Sequence, residues 1–312
     1  MKEVVLITGV TGFLGCHIGK LLIENNYQVI ATRRRSSSLM NCAEFQRQIY
    51  WIYTDVDHWK EKIIACRPKT IIHTAWMGVT AKDRNDWENQ LKNLFFLQDL
   101  LYVAEQSDTQ KIIGLGSQAE YGFTNMVVTE SHPLNPDTAY GAVKIICAQL
   151  LKKYCIKKQI EWYWLRIFSI FGEKEGFEWL IPSVIKKISD KSNARMEFSP
   201  CDQQYAYLYI KDFVNAIEKI LNNRNNNSGF YNLSGSNPIS LKILLSLIKD
   251  IINPSFKLNF GALPYRQNQS MLTAGDMKLY NGVFGFLETT LLDESINNTI
   301  NFYNTKFLNE SF

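Results

Sequence analysis

The stretch that most constrains this chain is Val4-Val5-Leu6-Ile7-Thr8-Gly9-Val10-Thr11-Gly12-Phe13-Leu14-Gly15. Four consecutive apolar residues fit a strand buried on both faces of a parallel sheet. Glycines follow at three-residue spacing, and Leu14, Ile18, Leu21 and Leu22 then recur with helical period. A strand, a glycine turn and a helix in that order aim backbone N–H groups and the positive end of a helix dipole at one spot, where a pyrophosphate can sit. Gly9 allows the tight turn, Gly12 the close approach of phosphate, and Gly15 the packing of helix on sheet. Three unrelated loop glycines are the plain alternative. The flanking strand and helix favour a nucleotide site, with Thr11, Phe13 and Leu14 in the turn that meets it.

Further strands are expected over 28–32, 49–54, 70–74 and 111–115, with a long helix over 86–105. Strands and helices alternating at these lengths predict an α/β fold, a doubly wound parallel sheet of the Rossmann type. The second half reads as shorter, mixed elements: a strand over 161–168, a helix over 179–188, a strand over 206–210 and a helix over 212–221. A polar loop follows over 222–229, and Ser240 and Asp293 cap helices reaching 252 and 303. We therefore expect a dinucleotide-binding domain over 1–168 and a smaller, mixed α/β substrate lobe over 169–312, with about 205–225 crossing back.

With 34 basic and 30 acidic side chains, net +4, the charge is too mild to argue for nucleic acid or a membrane surface. No apolar run approaches the ~18 residues that span a bilayer. The six cysteines contain no Cys-x-x-Cys pair, and His17, His58, His73 and His132 lack metal-ligand spacing. The expectation is a cytoplasmic, metal-free chain with reduced thiols.

A dinucleotide site usually carries an acidic residue ~20 residues beyond the glycines, bonded to the adenosine ribose. At the end of the second strand this chain has Arg33-Arg34-Arg35 instead. A carboxylate there repels a 2′-phosphate, whereas guanidinium groups bind it with paired hydrogen bonds. A solvated basic turn is the plain alternative. Position at a strand tip points Arg33 and Arg34 to NADP(H), with NAD(H) as the alternative. Asp55 and Val56 after the third strand are expected at the adenine edge, and Ala75 after the fourth lies beside the cofactor.

The residues with chemistry follow the fifth strand. Ser117 stands just beyond its carboxyl end, where open α/β sheets bind ligands. The next helix opens with Asp137-Thr138-Ala139-Tyr140-Gly141-Ala142-Val143-Lys144, placing Tyr140 and Lys144 at i,i+4 on one face. A cation beside a phenol favours phenolate, so Lys144 is expected to lower the proton affinity of Tyr140 and make it an acid or base near neutrality. Lys144 also suits the nicotinamide ribose hydroxyls. Ser117 suits a carbonyl oxygen that gains charge during reaction.

With these residues in place the chain resembles the extended short-chain dehydrogenase/reductase family, in its nucleotide-sugar epimerase/dehydratase branch. The resemblance runs through Thr8–Gly15, His73-Thr74-Ala75, Asn89, Ser117, Tyr140–Lys144, Leu165–Gly172, Trp179–Pro182, Asp202-Gln203, Tyr207–Asp212 and Ala262–Arg266. It implies Tyr140 as acid/base, Lys144 as its partner and Ser117 as carbonyl donor. It also implies a nucleotide-diphosphate sugar near Leu180, with Gln118, Gln203 and Arg266 as further contacts, and a homodimer. One departure is Tyr205-Ala206, where many members carry an arginine-aspartate pair that anchors phosphate.

Dehydratases of this branch carry Asp-Glu after the serine position, and Gln118-Ala119 cannot supply an acid and a base; Glu120 is out of register. Reduction and epimerisation remain. The basic tip and the resemblance to 4-keto-deoxysugar reductases favour NADPH-dependent reduction at C4. A nucleotide-sugar 4-epimerase is the alternative, and a non-catalytic NADP-binding sensor the more distant one.

Overall fold

The structure is a computed structural model and describes residues 2–190 and 195–310. Its first part runs β1 (Val4–Thr8), α1 (Phe13–Glu24), β2 (Gln28–Arg33), β3 (Tyr50–Tyr53), α2 (Trp59–Cys66), β4 (Thr70–His73), α3 (Trp87–Gln106), β5 (Lys111–Leu115), β6 (Asn125–Val128) and α4 (Ala139–Lys158). It continues with β7 (Glu161–Ile167), β8 (Ile170–Phe171), α5 (Leu180–Ser189), β9 (Arg195–Phe198), β10 (Gln204–Tyr205), β11 (Leu208–Tyr209) and α6 (Ile210–Asn222). The last elements are β12 (Gly229–Leu233), β13 (Ile239–Ser240), α7 (Leu241–Ile252), β14 (Lys257–Phe260), β15 (Leu272–Gly275), α8 (Lys278–Phe284) and α9 (Leu292–Glu310).

Seven strands form one parallel sheet in the order β12-β7-β5-β4-β1-β2-β3. The order reverses between β1 and β4, and such a switch point opens a crevice at the strands' carboxyl ends. Val5 and Ile7 face one apolar core and Leu6 the other, which is why the strand reads as an unbroken apolar run. Helices cover both faces: α1 and α6 pack together on one, α3 and α4 on the other.

The chain returns to this sheet through α6 and β12, and β12 pairs with β7 from Gly229↔Tyr163 to Leu233↔Ile167. That strand was not among the expected ones, because it follows an asparagine-rich loop. The expected strand over 206–210 is reduced to β11, and its last residue opens α6 instead. A second sheet, β13-β10-β15-β6, takes one strand from before α4 and three from after β9. Ser240 caps its helix as expected, whereas Asp293 lies inside the first turn of α9, which opens one residue earlier at Leu292. Asp86 accepts from Asn89 N, Thr138 from Gly141 N and Ser240 from Ile243 N, each satisfying an N–H that the helix leaves open.

Candidate active site

The glycine turn sits at the switch point. Gly9 has φ +74°, and a Cβ there would lie 2.6 Å from Ala75 N. Thr8 Oγ1 accepts from that same Ala75 N–H at 3.2 Å and hydrogen-bonds His73 Nδ1 at 2.9 Å, so Ala75 is fixed against the turn. A Cβ on Gly15 would collide with the Gly9 carbonyl, whereas one on Gly12 would meet only Gly9 O at 3.4 Å. The turn is therefore closed by Gly9 and Gly15 and open at Gly12. Gly12 caps α1 with no side-chain bond, and no acidic residue stands in the first turn, so the helix start at Phe13 and Leu14 carries no anion of its own. This donor set fits a pyrophosphate, which makes the turn a dinucleotide cradle. Thr11 contributes its carbonyl to Asn41 Nδ2 at 3.3 Å.

At the tip of β2 the Arg33 guanidinium lies over the rings of Trp51 and Tyr53, 5.3 and 4.8 Å from their centroids. It donates to Tyr53 Oη at 2.8 Å and to Ser37 O at 3.3 Å. Arg34 and Arg35 are exposed beside it. Asp55 Oδ2 accepts from Arg35 N at 3.0 Å, and Asp55 and Val56 line a cavity of about 370 Å³ beyond β3.

Ser117, Tyr140 and Lys144, distant in sequence, meet beyond the end of β5. The Ser117 hydroxyl stands on the Tyr140 side of the group and works to lower the pKa of the phenol. Lys144 Nζ donates to Leu115 O at 2.6 Å and lies 5.6 Å from the Tyr140 ring centroid. Two side chains that the sequence reading passed over complete the group. The Trp76 indole covers the Lys144 ammonium at 3.5 Å from its centroid, meets Tyr140 edge-on at 5.9 Å and is held by Gln90 Oε1 at 2.9 Å. The Arg84 guanidinium lies 5.2 Å from the Tyr140 ring centroid.

Both cations stand near the phenol, Lys144 at 5.6 Å and Arg84 at 5.2 Å from its ring centroid. Burial pushes the phenol up, and the groups working against it are the Ser117 hydroxyl and the Arg84 charge. Lys144 is itself pushed down to about 7, because burial disfavours its charged form more than nearby Cys147 and Glu120 favour it. His73, likewise buried, is pushed down to about 3 and stays neutral.

Beneath Ser117 the Glu120 carboxylate is wholly buried and fully engaged. Oε1 accepts from Ser117 N at 2.9 Å and Trp164 Nε1 at 2.8 Å, and Oε2 accepts from Arg166 Nε at 2.9 Å. Glu120 therefore faces away from the reacting groups, in keeping with its being out of register for an elimination. Arg166, placed by resemblance among the substrate-lobe segments, is 2 % exposed and belongs to this support. Asn89 is on the first turn of α3, bonded to Asp86. Buried Asn93, one turn later, fastens the loop after β4 by accepting from Met77 N at 2.8 Å and donating to Met77 O at 3.1 Å.

A cavity of about 170 Å³ lies beside the loop after β5, lined by Arg84, Gln118, Thr138, Ser270 and Thr273 among others, with Ser117, Tyr140 and Lys144 outside its lining. Gln118 Oε1 is buried there with no partner. Of the residues implied as substrate contacts, Leu180 is exposed at the start of α5, Gln203 is buried with Oε1 unpartnered, and Arg266 is exposed. The last two segments are joined: Tyr265 Oη donates to Asp202 Oδ2 at 3.2 Å and accepts from Asp202 N at 3.1 Å. Where the phosphate anchor of many members would stand, Tyr205 Oη accepts from Gln269 Nε2 at 3.2 Å.

A doubly wound sheet with an open glycine cradle, and a serine, tyrosine and lysine converging beside it, defines a nicotinamide-dependent enzyme of the extended short-chain dehydrogenase/reductase type. The comparisons agree: residues 5–234 match the model of the NAD dependent epimerase/dehydratase family, and the chain belongs to that family. Among curated relatives it is 28% identical over 256 residues to a putative UDP-glucose 4-epimerase of Methanocaldococcus jannaschii, covering 78% of this chain and 81% of that one. It is 27% identical over 285 residues to a CDP-abequose synthase of Salmonella muenchen, covering 87% and 88%. Among solved structures, UDP-glucose 4-epimerase of Thermotoga maritima with UDP-glucose superposes with a TM-score of 0.86 at 19% identity, over 98% of this chain and 100% of that one. At that identity the likeness speaks for the fold. No helix among the described residues is long and apolar enough to cross a membrane.

Proposed function

We propose that this chain uses NADPH to reduce the C4 ketone of a nucleotide-linked 4-keto-deoxysugar, in the supply of glycan or O-antigen precursors. The observation that carries this reading is the tip of β2, where Arg33, Arg34 and Arg35 replace the usual ribose-binding carboxylate. Arg34 and Arg35 are exposed there, and guanidinium groups bind phosphate through charge-assisted pairs. A reductase consumes one hydride per turnover and must exchange its cofactor, for which NADPH is the usual donor.

The bound nicotinamide supplies the hydride. Ser117 donates to the ketone oxygen as charge develops on it, and Tyr140 delivers the proton to that oxygen. Lys144 Nζ, poised at about 7, takes up or gives a proton near neutrality beside the phenol. Gln118 Oε1 and the hydroxyls of Thr138, Ser270 and Thr273 give the cavity beside the loop after β5 the mixed donors and acceptors that a sugar ring uses. Leu180, Gln203 and Arg266 take the nucleotide diphosphate in this reading. Residues 1–168 hold chiefly the cofactor and 169–312 the substrate.

A homodimer belongs to the same proposal. Leu91, Phe95 and Tyr102 of α3 and Ile146 of α4 expose an apolar stripe on two helices that already pack together, and a second copy covers it. The six free thiols support a cytoplasmic setting.

The epimerase reading is favoured by the similarity to the M. jannaschii relative. One experiment separates them: purified protein is supplied with NADPH or NADH and with dTDP-, CDP-, GDP- and UDP-4-keto-6-deoxysugars. Oxidation of added NADPH in step with loss of the ketone supports reduction. Co-purified NAD with interconversion of a UDP-sugar and no added reductant establishes the epimerase instead. Binding of NADP without turnover of any sugar points to a sensor.

A further inference from the structure

The guanidinium of Arg33 is half-buried, and among the described residues no carboxylate pairs with it. Its two hydrogen bonds go to neutral acceptors, Tyr53 Oη at 2.8 Å and Ser37 O at 3.3 Å. Nε is buried with no partner at all. A guanidinium carries five N–H groups, so two bonds leave three of them uncommitted. Withdrawing a charge from water without an internal counterion is costly, and an anion arriving from outside offsets that cost.

What holds this cation is the edge strand of the large sheet. β2 and β3 pair in parallel with Arg33 opposite Tyr53 and the small Ala31 opposite Trp51. Ile52 between the two aromatic residues faces the core on the other side, so both rings share the Arg33 face of the sheet. The guanidinium lies over them, 5.3 Å from the Trp51 centroid and 4.8 Å from that of Tyr53. The indole is itself anchored, Trp51 Nε1 donating to Gln46 O at 2.8 Å. The turn that follows is closed by Ser37 N on Arg34 O at 3.0 Å and Arg34 N on Ser37 Oγ at 3.2 Å. Rings and a phenol fix the plane of a guanidinium and leave its charge uncancelled.

We propose that Trp51 and Tyr53 are positioning residues that hold the Arg33 guanidinium for the adenosine 2′-phosphate, and so set the preference of this chain for NADPH over NADH. This deepens the proposed function and rests on its reading of the cofactor. A carboxylate in place of the rings would orient the arginine equally well but would neutralise it and repel the phosphate. NADH lacks that phosphate, so loosening the aromatic seat weakens NADPH and leaves NADH nearly untouched.

The test is calorimetric titration of NADPH and of NADH, with no sugar present, into the parent, Y53F, W51L, W51F and R33M. Y53F and W51L are each expected to weaken NADPH about tenfold, the size of one hydrogen bond to a charged group, while NADH changes by less than about twofold. W51F keeps a ring beneath the guanidinium and is expected to retain most of the parent's preference. R33M removes the cation itself and sets the upper limit of the loss. Y53F, which deletes a single oxygen, decides the matter should W51L lack the parent's circular-dichroism spectrum. Equal losses for the two cofactors in Y53F and W51L overturn the proposal, because a merely structural role would move both. A parent that prefers NADPH, with both variants unmoved, also overturns it and leaves the cofactor reading standing. A parent that binds NADH as tightly as NADPH overturns that reading, and the aromatic seat with it.

Discussion

Arg166 Nε donates to Glu120 Oε2 at 2.9 Å with both side chains shut off from water, while the other oxygen of that carboxylate holds the backbone N–H of Ser117. The pair is extended by Tyr121, whose hydroxyl accepts from Arg166 Nη1 at 3.0 Å and donates to Asn232 Oδ1 at 2.7 Å. A strand of the returning segment is thereby tied to the loop that presents the serine. Placement of Ser117 is thus a property of β5, β7 and β12 together.

Removing one member of this pair leaves the other buried and unpaired, which typically costs about 3–5 kcal/mol. We expect R166M and E120A to lose stability on that scale in urea unfolding, with E120Q losing less because its amide still accepts from Ser117 N. The double variant E120Q/R166M removes both charges and should recover part of the loss. Single variants within about 1 kcal/mol of the parent, the size of an exposed pair, would show the network to be dispensable.

The sheet was legible because strands buried on both faces leave apolar runs, and Val4–Thr8 and Lys111–Leu115 leave them plainly. β12 was not, since Asn232 interrupts its run and its pairing with β7 spans α5, α6 and the short strands around them. The convergence of Ser117, Tyr140 and Lys144 could be expected from the order of strand, serine and helix. The field acting on Tyr140 could not. Spacing on α4 shows which side chains share a face, but Trp76 and Arg84 arrive from other segments, and burial decides the outcome. Trp76 follows Ala75 directly, and a large aromatic ring next to a cofactor-facing residue was the available signal. Asn93 rather than Asn89 secures the loop for a related reason: one helical turn separates them, and only the deeper one reaches Met77.

Gly12 and Gly15 separate binding from folding. Gly12 has extended backbone, φ −87° and ψ 178°, and a Cβ there would meet only Gly9 O at 3.4 Å. G12A should therefore keep its melting temperature while dinucleotide affinity falls about tenfold or more, a loss of roughly 1.4 kcal/mol or greater. G15A drives a methyl into the Gly9 carbonyl and should lower the melting temperature directly. Calorimetric melting and cofactor titration on the two variants check this, and equal behaviour in both assays would contradict a cradle built this way.

Lys144 makes stability depend on pH. Its folded pKa of about 7 lies below its ordinary 10.5, so between those values the unfolded chain holds a proton that the folded chain has released. Stability then rises with pH across that window, by up to about 1.4 kcal/mol per unit, and the contribution is flat below it where both states are protonated. The cofactor-free parent should gain stability between pH 7 and 9 relative to K144M, measured by urea unfolding at each pH. A difference that stays constant, or reverses, would mean that the ammonium keeps its proton inside the fold.

In the proposed reaction Tyr140 and Ser117 act on the same oxygen, and their loss should show it. General acid catalysis contributes roughly 10²–10⁴ in rate, so Y140F should cut turnover by that factor with little change in KM. Removing a donor to a developing oxyanion costs about 10²–10³, which sets the expectation for S117A. Because the Ser117 hydroxyl also works to lower the pKa of the phenol, each variant disturbs the other's group, and the double variant should fall well short of the product of the two losses. Single- and double-variant kinetics, with cofactor affinity measured alongside, decide the matter: fully multiplicative losses would mean the two hydroxyls work independently, and an active Y140F would remove the tyrosine from proton delivery.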